Sequence, residues 1–368
     1  MKKVTVLKEI KKGEDRVVIT PEDVKLFVED GFEIFCEHNA GLKSGFPDEQ
    51  YSDSGAKIVS TETAWNCSDY IIKLKAPEPK EYKYLRNNLH IGAFFHLEDD
   101  TILAEELCKY KLTAYSYEFF KTSDNIYPIS IPQSEISGKM AVIYGAYYLQ
   151  NHLGGRGILL ADTIGVTLPK VVIVGYGNAG SAAAKTAAAL GLNVVVLGTN
   201  KEKLRKFNSL FPSNVRCLVN SSEVIEREVI DADLVIGTIL ISTYDTPAMI
   251  DEDVVKQMKP GSAIVDITCG YGKGYLPTFK KFTTHSSPFY KVHGVLHCKI
   301  DGFPASVAIT ASTALSKQIT PYLINLGNSI YSEELEDRIS DAGKVVENKN
   351  IVSDIVIDNF ELIDKDKK

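Results

Sequence analysis

Six residues near the middle of the chain, Gly-Tyr-Gly-Asn-Ala-Gly at 175–180, have the spacing of a glycine-rich loop that binds phosphate groups. A largely apolar strand is predicted before them, over 169–174, and an alanine-rich helix after them, over 181–190. In such a unit the first glycine permits a tight turn, the second lets the backbone approach a pyrophosphate, and the third lets helix and strand pack closely. The pattern predicts a dinucleotide site at the amino terminus of the helix. The expected contacts come from Gly175, Gly177, Asn178, Ala179 and Gly180.

The next strand of this unit, predicted over 193–197, lacks the acidic residue that is expected at its end. In NAD-binding proteins a carboxylate about 20 residues beyond the glycine loop binds the ribose 2′-hydroxyl. Glycine stands in its place here and basic residues follow, so that a 2′-phosphate would meet attraction instead of repulsion. We therefore favour NADP(H) over NAD(H), although the basic residues also fit the solvated face of a helix. The residues concerned are Gly198, Thr199, Asn200 and Lys203, with Lys201 and Arg205 close by.

The segments on both sides of this unit alternate between apolar strands and helices, which is typical of an α/β fold with parallel sheets. A length of 368 residues indicates two domains, at roughly 100–200 residues per domain. Thr20 and Pro21 predict a helix start, because a hydroxyl N-cap and a proline at the first helical position favour one. Long helices are expected from about Ser134 to His152 and over 308–326, and a polar, charged tail follows. Further strands are predicted at 4–7, 33–36, 70–74, 91–95 and 113–116.

The overall composition excludes several classes of function. A net charge of −7 without a basic stripe argues against a nucleic-acid-binding surface. The chain has no long charge-free apolar span, and no apolar segment follows its basic amino terminus, so neither a membrane helix nor a signal peptide is expected. The 6 cysteines have no CxxC or zinc spacing, which predicts free thiols in a reducing cytoplasm and no metal site.

Several short motifs before and after the glycine loop are more specific together than any one of them alone. They are KE at 8–9, DRV at 15–17, TP at 20–21, KLKAP at 73–77, FHL at 95–97, SEISG at 134–138, GGRGILL at 154–160, MKPGS at 258–262 and VD at 265–266. In this order they resemble the alanine dehydrogenase and pyridine-nucleotide transhydrogenase family, whose relatives include saccharopine dehydrogenase and carboxyethyl-ornithine synthase. The resemblance extends from residue 1 to about residue 330. It implies two Rossmann-like domains, a dinucleotide domain at 130–300 being inserted into a substrate domain formed by 1–129 and 301–368.

The resemblance assigns substrate chemistry to three residues of the first domain. Arg16 and Lys75 match the family residues that hold the substrate carboxylate and carbonyl, and His96 matches the catalytic histidine. The chemistry agrees, since a guanidinium binds a carboxylate through two hydrogen bonds and an ammonium stabilises charge on a carbonyl or imine. Histidine suits proton transfer near neutral pH, and His96 follows a predicted strand at the end where ligands bind in open α/β sheets. Without the resemblance, each of the three would be interpreted as an ordinary surface charge or core histidine.

Four further positions match family residues. Ser134 matches a residue beside the nicotinamide carboxamide, and it could equally be the N-cap of the helix that follows. Leu240 and Ile241 match a loop against the nicotinamide, and they could equally belong to the core. Glu118 matches a family glutamate that we interpret as structural.

Two positions depart from the alanine dehydrogenase pattern. Those enzymes carry a catalytic aspartate shortly after the strand that ends at 265–266, where this chain has Gly270. Farther on, Asp301 precedes Gly-Phe-Pro in place of the family's Asn-Met-Pro, which is closer to the saccharopine-type relatives. Glycine opens space and removes a charge, and Asp301 could bind an incoming ammonium group or hold a proton, although Asp-Gly is also a common turn pair. These departures favour a site that admits a second amino acid.

We therefore expect a cytoplasmic, homo-oligomeric NAD(P)-dependent oxidoreductase that acts on amino-acid C–N bonds. Its substrates would be a small 2-oxo acid and an amine or amino acid, and hydride would reach the 2-carbon of their imine in a cleft between the domains. Alanine-dehydrogenase-like deamination and opine- or saccharopine-type reductive condensation both remain open. A third possibility is a transhydrogenase-like nucleotide-binding module without amine chemistry. The joint presence of Arg16, Lys75 and His96 argues against this last alternative.

Overall fold

The computed structural model describes residues 2–239, 248–268, 275–332 and 338–366. The chain divides into two compact units, of which the first joins Met1–Gln133 with Ala305–Lys368 and the second is continuous over Ser134–Pro304. The two boundaries lie a few residues beyond the expected positions, 129/130 and 300/301. Each unit contains its own sheet.

The first segment of the chain alternates strands with short helices. Its strands are β1 (Lys2–Val6), β2 (Phe32–Glu37), β3 (Lys57–Val59), β4 (Tyr70–Lys75), β5 (His90–Phe94) and β6 (Thr113–Ser116), and its helices are α1 (Pro21–Glu29), α2 (Asp48–Asp53), α3 (Thr61–Asn66) and α4 (Thr101–Leu107). The strands predicted in this segment are confirmed to within about two residues at each end. Helix α1 begins at Pro21 as predicted, but the Thr20 hydroxyl donates to Asp23 Oδ2 at 3.0 Å and makes no capping bond to the backbone.

The middle segment forms the second α/β series. Its helices are α5 (Ile131–Tyr148), α6 (Asn178–Ala189), α7 (Lys201–Asn208), α8 (Ser222–Ile230) and α9 (Glu252–Gln257), and its strands are β7 (Lys170–Val174), β8 (Asn193–Gly198), β9 (Val215–Val219), β10 (Leu234–Gly237), β11 (Ala263–Asp266), β12 (Tyr290–Val292) and β13 (Val295–Cys298). Helix α5 starts three residues before Ser134, so an N-cap role for Ser134 is wrong. Pro132 is accommodated near this start because the first helical N–H groups have no intrahelical partner.

The last segment is more ordered than its composition indicates. It contains α10 (Ala308–Tyr331), α11 (Arg338–Asp341), β14 (Lys344–Glu347), β15 (Asn350–Ile351) and α12 (Asp354–Asp366). Strand β14 pairs antiparallel with β6, and its two central valines are fully buried. The polar, charged tail predicted after 330 therefore extends the first sheet and adds to its core.

Both sheets have the strand order of a doubly wound α/β fold. The first is 8-stranded, in the order β15-β14-β6-β5-β4-β1-β2-β3, and the second is 7-stranded, in the order β12-β13-β11-β10-β7-β8-β9. All neighbours are parallel except those that involve β12, β14 or β15. The predicted α/β class with two mostly parallel sheets is confirmed. In each sheet the order reverses beside the first strand, and ligands of such sheets bind outside the carboxyl ends of the strands near that point.

Apolar side chains are buried on both faces of each sheet, and β7 is buried along its whole length. Within the residues that the structure describes, no helix combines the length and the hydropathy that a membrane span requires.

Candidate active site

The three glycines of the loop between β7 and α6 have three different steric environments. Gly175 has φ 111°, a conformation that side chains with a Cβ rarely adopt. A Cβ on Gly180 would lie 2.3 Å from the carbonyl oxygen of Gly175, so that only glycine lets the helix approach the strand. At Gly177, by contrast, none of the described residues places an atom within 4 Å of the position that a Cβ would take. This open position, next to the first residues of α6, Asn178 and Ala179, fits the pyrophosphate of a dinucleotide.

These glycines allow a matched pair of substitutions. Gly180→Ala is expected to lower the free energy of unfolding by about 1–3 kcal/mol, because the added methyl overlaps the Gly175 carbonyl. Gly177→Ala is expected to leave the unfolding transition almost unchanged and to weaken dinucleotide binding, because its methyl lies where the pyrophosphate would approach. Urea denaturation and calorimetric titration with the dinucleotide measure the two effects. Equal losses of stability in both variants would contradict this division of roles.

The carboxyl end of β8, where the ribose of a dinucleotide is expected, carries a neutral residue followed by basic ones. Gly198 is the last residue of β8, and Asn200 is the N-cap of α7, its Oδ1 accepting from the Lys203 backbone N–H at 2.9 Å. The side chains of Thr199, Lys201 and Lys203 are exposed. This end of the unit therefore presents hydroxyl and ammonium groups where an acid would stand in an NAD-selective protein.

In the first unit, three of the residues singled out from the sequence lie at one edge of the sheet. Lys75 is the last residue of β4, His96 follows β5 by two residues, and Glu118 follows β6 by two residues. The three strands are adjacent and parallel. Their carboxyl ends therefore bring an ammonium, an imidazole and a carboxylate to the same edge.

His96 is held in an unusual backbone conformation. Its φ is 48° and its ψ is 43°, in the left-handed region that residues other than glycine seldom occupy. The backbone N–H of His96 donates to Glu118 Oε1 at 2.6 Å. Such a conformation costs on the order of 1–3 kcal/mol and persists only where surrounding contacts impose it. The carboxylate of Glu118 is one such contact, and it fixes the direction in which the imidazole leaves the chain.

Two carboxylates control the charge of the imidazole. His96 Nδ1 lies 3.5 Å from Glu98 Oε1 and 3.8 Å from Glu118 Oε1. Burial lowers the pKa of His96, but the charges of Glu118 and Glu98 outweigh burial and the opposing charge of Lys75, so the net pKa is above its ordinary value of 6.5. Burial also raises the pKa of Glu118, which His96 partly offsets. The imidazole can therefore hold a proton near neutral pH, as a general acid must.

The three side chains His96, Glu98 and Glu118 each offer one ligand atom, and these atoms lie within 4.8 Å of one another. A divalent cation accepts imidazole and carboxylate ligands of this kind. The same distances also suit a proton that is shared between these groups. The positive charge of Lys75, which acts on His96, favours the shared proton, because it would repel a bound metal ion.

Glu118→Gln tests the control of this proton. Glutamine keeps a carbonyl oxygen that can accept from the His96 backbone, but it removes the negative charge, so the pKa of His96 should fall. Where the protonated imidazole is the active form, the rate should decline at a lower pH than in the wild type, as measured by the pH profile of kcat. Glu105→Gln, an exposed acid on α4, is the control for removal of one charge. If kcat of Glu118→Gln declines at the same pH as in the wild type, the charge of Glu118 does not control the pKa of His96.

Arg16 lies in a buried loop and is oriented by Glu14. Arg16 Nε donates to Glu14 Oε1 at 2.7 Å, Nη2 donates to Glu14 Oε2 at 2.6 Å, and Nη1 donates to Gln133 Oε1 at 2.6 Å. The side chains of Arg16 and Glu14 are only 5% and 4% exposed. Burial raises the pKa of Glu14, but the adjacent guanidinium outweighs it, and the net pKa is below 4.5. The pair therefore stays ionised, with the plane of the guanidinium fixed.

Helix α10 holds the loop that carries Arg16. Ser312 Oγ accepts from the Val17 backbone N–H at 3.0 Å, and Ser316 Oγ accepts from the Thr20 backbone N–H at 2.8 Å. Both serines are fully buried. Buried backbone N–H groups in irregular segments need such partners, so the two serines fix the path of the loop.

The backbone at Lys75 is fixed by a buried carboxylate. Glu9 Oε1 accepts from the N–H groups of Leu74 and Lys75, at 2.7 and 3.3 Å, and Glu9 Oε2 accepts from Lys73 Nζ at 2.9 Å. Burial raises the pKa of Glu81, the second carboxylate beside Lys73, to about 7. The positive charge of Lys75 contributes a lowering of the pKa of both Glu14 and His96.

The other positions named from the sequence are spread over the second unit. Ser134 lies in the first turn of α5. Asp301 is exposed in a turn, and Gly302 follows it at φ 85°, the geometry expected of an Asp-Gly turn. Leu240, Ile241 and Gly270 lie outside the described residues.

Sequence reasoning missed two carboxylates of this site. Glu14 and Glu98 contact Arg16 and His96, each from a position two residues away, Glu14 in an irregular loop and Glu98 in a single 3-10 turn. Periodicity carries no signal in such segments, and only the short separation from a candidate residue could have drawn attention to them.

Comparisons with known proteins agree with this architecture. The model of the alanine dehydrogenase/PNT N-terminal domain matches residues 5–137, and that of the C-terminal domain matches residues 141–354. An alanine dehydrogenase of Staphylococcus epidermidis is 39% identical over 332 residues, which are 90% of this chain and 89% of that protein. An alanine dehydrogenase of Bacillus subtilis is 37% identical over 335 residues, which are 91% of this chain and 88% of that protein.

Solved structures give the same result. One described as L-alanine dehydrogenase has a TM-score of 0.91 and 36% identity, with 98% of this chain and 99% of that chain covered. A transhydrogenase from Sinorhizobium meliloti has a TM-score of 0.79 at 22% identity, with 96% and 99% covered, which is a likeness of fold alone. Because both family models match and the alanine dehydrogenase of Staphylococcus epidermidis is 39% identical over 90% of the chain, this chain belongs to the alanine dehydrogenase/PNT family.

Proposed function

We propose that this chain is a nicotinamide-dependent amino-acid oxidoreductase, with alanine and pyruvate as the leading substrate pair. In the reductive direction, pyruvate, ammonium, a proton and the reduced dinucleotide give alanine, water and the oxidised dinucleotide. The observation that carries this proposal is the position of Lys75 and His96 at the carboxyl ends of two adjacent parallel strands of the first unit, the unit that also holds Arg16. The second unit adds a complete glycine fingerprint, and relatives named alanine dehydrogenase match about 90% of the chain.

Each of the three residues has a role that its surroundings support. Glu14 and Gln133 fix the orientation of the Arg16 guanidinium, which would bind the substrate carboxylate. Lys75 would stabilise negative charge that develops on the 2-oxo oxygen as ammonia adds. His96 would give a proton to the departing hydroxyl of the carbinolamine, so that water leaves and the imine forms. The reduced nicotinamide, when bound, supplies the hydride that C2 of this imine accepts.

For the cofactor we propose NADP(H) in preference to NAD(H). The support is the glycine at 198 and the exposed ammonium of Lys203 that follows it, together with the hydroxyl of Thr199. Asn200 would contribute through its position at the start of α7. Ser134, Leu240 and Ile241 are assigned to the nicotinamide end by their match to the family alone.

The second substrate is tested by a matrix of reduced cofactors and amines. NADH or NADPH would be mixed with pyruvate, glyoxylate, 2-oxoglutarate or oxaloacetate, and with ammonia, lysine or ornithine. We expect oxidation with pyruvate and ammonia alone. Oxidation only in the presence of a second amino acid would replace this proposal with reductive condensation, in which Asp301 would bind the incoming ammonium group. No oxidation in any mixture would favour a nucleotide-binding module without amine chemistry.

We also propose that the chain forms a homo-oligomer. Apolar side chains of the second unit are exposed on α5 and on the segment that follows it, among them Ile143, Leu159, Ile164 and Val166. Soluble monomers seldom expose several large apolar side chains so close together in the sequence. Light scattering on the purified protein measures the mass, and a mass of 40.6 kDa at micromolar concentration would exclude the oligomer.

A cytoplasmic location is proposed on the chemistry of the cysteines. Cys36, Cys67, Cys108, Cys217 and Cys298 are all free in the described part of the chain. Free thiols persist in reducing compartments. Cell fractionation tests the location.

A further inference from the structure

A tyrosine of the glycine loop fills the volume that a side chain at position 198 would need. A Cβ built on Gly198 would lie 2.2 Å from Tyr176 Cε1 and 2.3 Å from Tyr176 Cδ1. The next nearest atom, Leu204 Cδ2, is 3.1 Å away. The φ of Gly198 lies outside the left-handed region, so the backbone itself would accept another residue. The obstacle to an acid at this position is therefore the tyrosine ring.

Tyr176 belongs to the glycine loop and packs against α7. It stands between the first two glycines of the loop, and its ring packs against Phe207 of α7 with the centroids 6.0 Å apart and the planes at 60°. Phe207 is buried in the core of the second unit. The ring thus connects the glycine loop to α7, across the end of β8 where a ribose-binding carboxylate would otherwise project.

The charges around the ring favour an anion at this end of the dinucleotide. Residues 199–206 contain one acid, Glu202, and four basic residues, Lys201, Lys203, Arg205 and Lys206. A carboxylate at 198 would offset this balance and would accept hydrogen bonds from the ribose hydroxyls of NAD(H).

We propose that Tyr176 determines cofactor selectivity, because its ring excludes an acidic side chain from position 198 and leaves the ribose 2′ position to a phosphate. The inference rests on the proposed dinucleotide function, and it adds a residue that no part of the glycine fingerprint requires. Gly198 therefore cannot be exchanged for the acid of an NAD-selective protein while the Tyr176 ring is kept.

The test is a double-mutant cycle of Gly198→Asp and Tyr176→Ala, read by calorimetric titration of each protein with NADH and with NADPH in the absence of amino-acid substrates. Gly198→Asp alone is expected to weaken both cofactors and to move the ratio of their dissociation constants toward NADH much less than the double variant does, because the new carboxylate and the ring compete for one volume. The double variant is expected to shift the ratio of the two dissociation constants toward NADH by about 10- to 100-fold. This is the size expected when a charge-assisted hydrogen bond to the ribose replaces the interaction with the 2′-phosphate.

A third variant, Tyr176→Phe with Gly198→Asp, keeps the ring and removes only the hydroxyl, and it should behave like Gly198→Asp alone. If Gly198→Asp by itself shifts the ratio as far as the double variant does, Tyr176 is not the obstacle and the inference is wrong. If Gly198→Asp fails to fold, the double variant must regain the folded state on thermal denaturation, and failure of both would also overturn the inference.

These outcomes are separate from those of the proposed function. Wild-type protein that binds neither dinucleotide would refute the oxidoreductase itself, whereas wild-type protein that binds NADPH without coupling between 176 and 198 would refute only the role of Tyr176.

Discussion

His96→Asn is expected to lower kcat for pyruvate and ammonia by about 10²- to 10⁴-fold, the usual contribution of a positioned general acid. Asparagine is preferred to alanine because it tolerates the left-handed conformation, φ 48°, that His96 adopts. The substitution therefore removes the imidazole while the backbone bond to Glu118 is kept. Steady-state kinetics with NADH and NADPH give the comparison.

The matched control is His90→Ala. His90 is the first residue of β5, whereas His96 follows the other end of that strand, and the ring of His90 stacks on Tyr115. It should retain most of the wild-type kcat. Turnover that is unchanged in His96→Asn with every amine would show that the proton comes from elsewhere.

Arg16→Ala is expected to lower the free energy of unfolding by about 3–5 kcal/mol, as happens when one partner of a buried ion pair is removed. The cause is Glu14, which is 4% exposed and would be left without its guanidinium partner. Affinity for the 2-oxo acid should fall in parallel, because the group proposed to bind its carboxylate is gone. Urea denaturation and the KM for pyruvate measure the two losses.

A second variant separates these two losses. Arg16→Met combined with Glu14→Gln removes both charges, so most of the stability should return while the KM for pyruvate stays high. A double variant with the KM of the wild type would show that Arg16 is only a structural partner of Glu14.

The stability that the Arg16–Glu14 pair provides should also depend on pH. Because the folded pKa of Glu14 is lowered below 4.5, its contribution is present above that value and is lost as the pH falls through the folded pKa. The double variant lacks this dependence, so its stability should decline less on acidification.

The parts of the fold that were predicted from sequence depend on local patterns. Glycine spacing and a run of β-branched residues mark the unit at 170–198, and the structure has its strands and helix there. The pairing of β14 with β6 is different, since Lys344 lies opposite Tyr115 more than 200 residues away. A four-residue strand in a charged segment has too little periodicity to be recognised, and only the sheet edge that it completes makes it a strand.

The candidate site was less accessible from the residues alone. Lys75 and His96 were named through family resemblance, because a single lysine or histidine at a strand end has many structural explanations. Glu118 was interpreted as structural, and the structure adds that its carboxylate binds the His96 backbone and raises the imidazole pKa. That contact requires the ends of β5 and β6 to be adjacent, which follows from sheet order and not from any local motif.

Transfer of deuterium from the reduced cofactor to the product tests the proposed reaction most directly. The protein would be incubated with pyruvate, ammonium and NADH or NADPH that carries deuterium at the transferable C4 position, and the products would be examined by mass spectrometry and proton NMR. We expect alanine with one deuterium at C2. Deuterium at C2 of lactate, or none in any product while the cofactor is bound, would contradict hydride transfer to a carbon bonded to nitrogen.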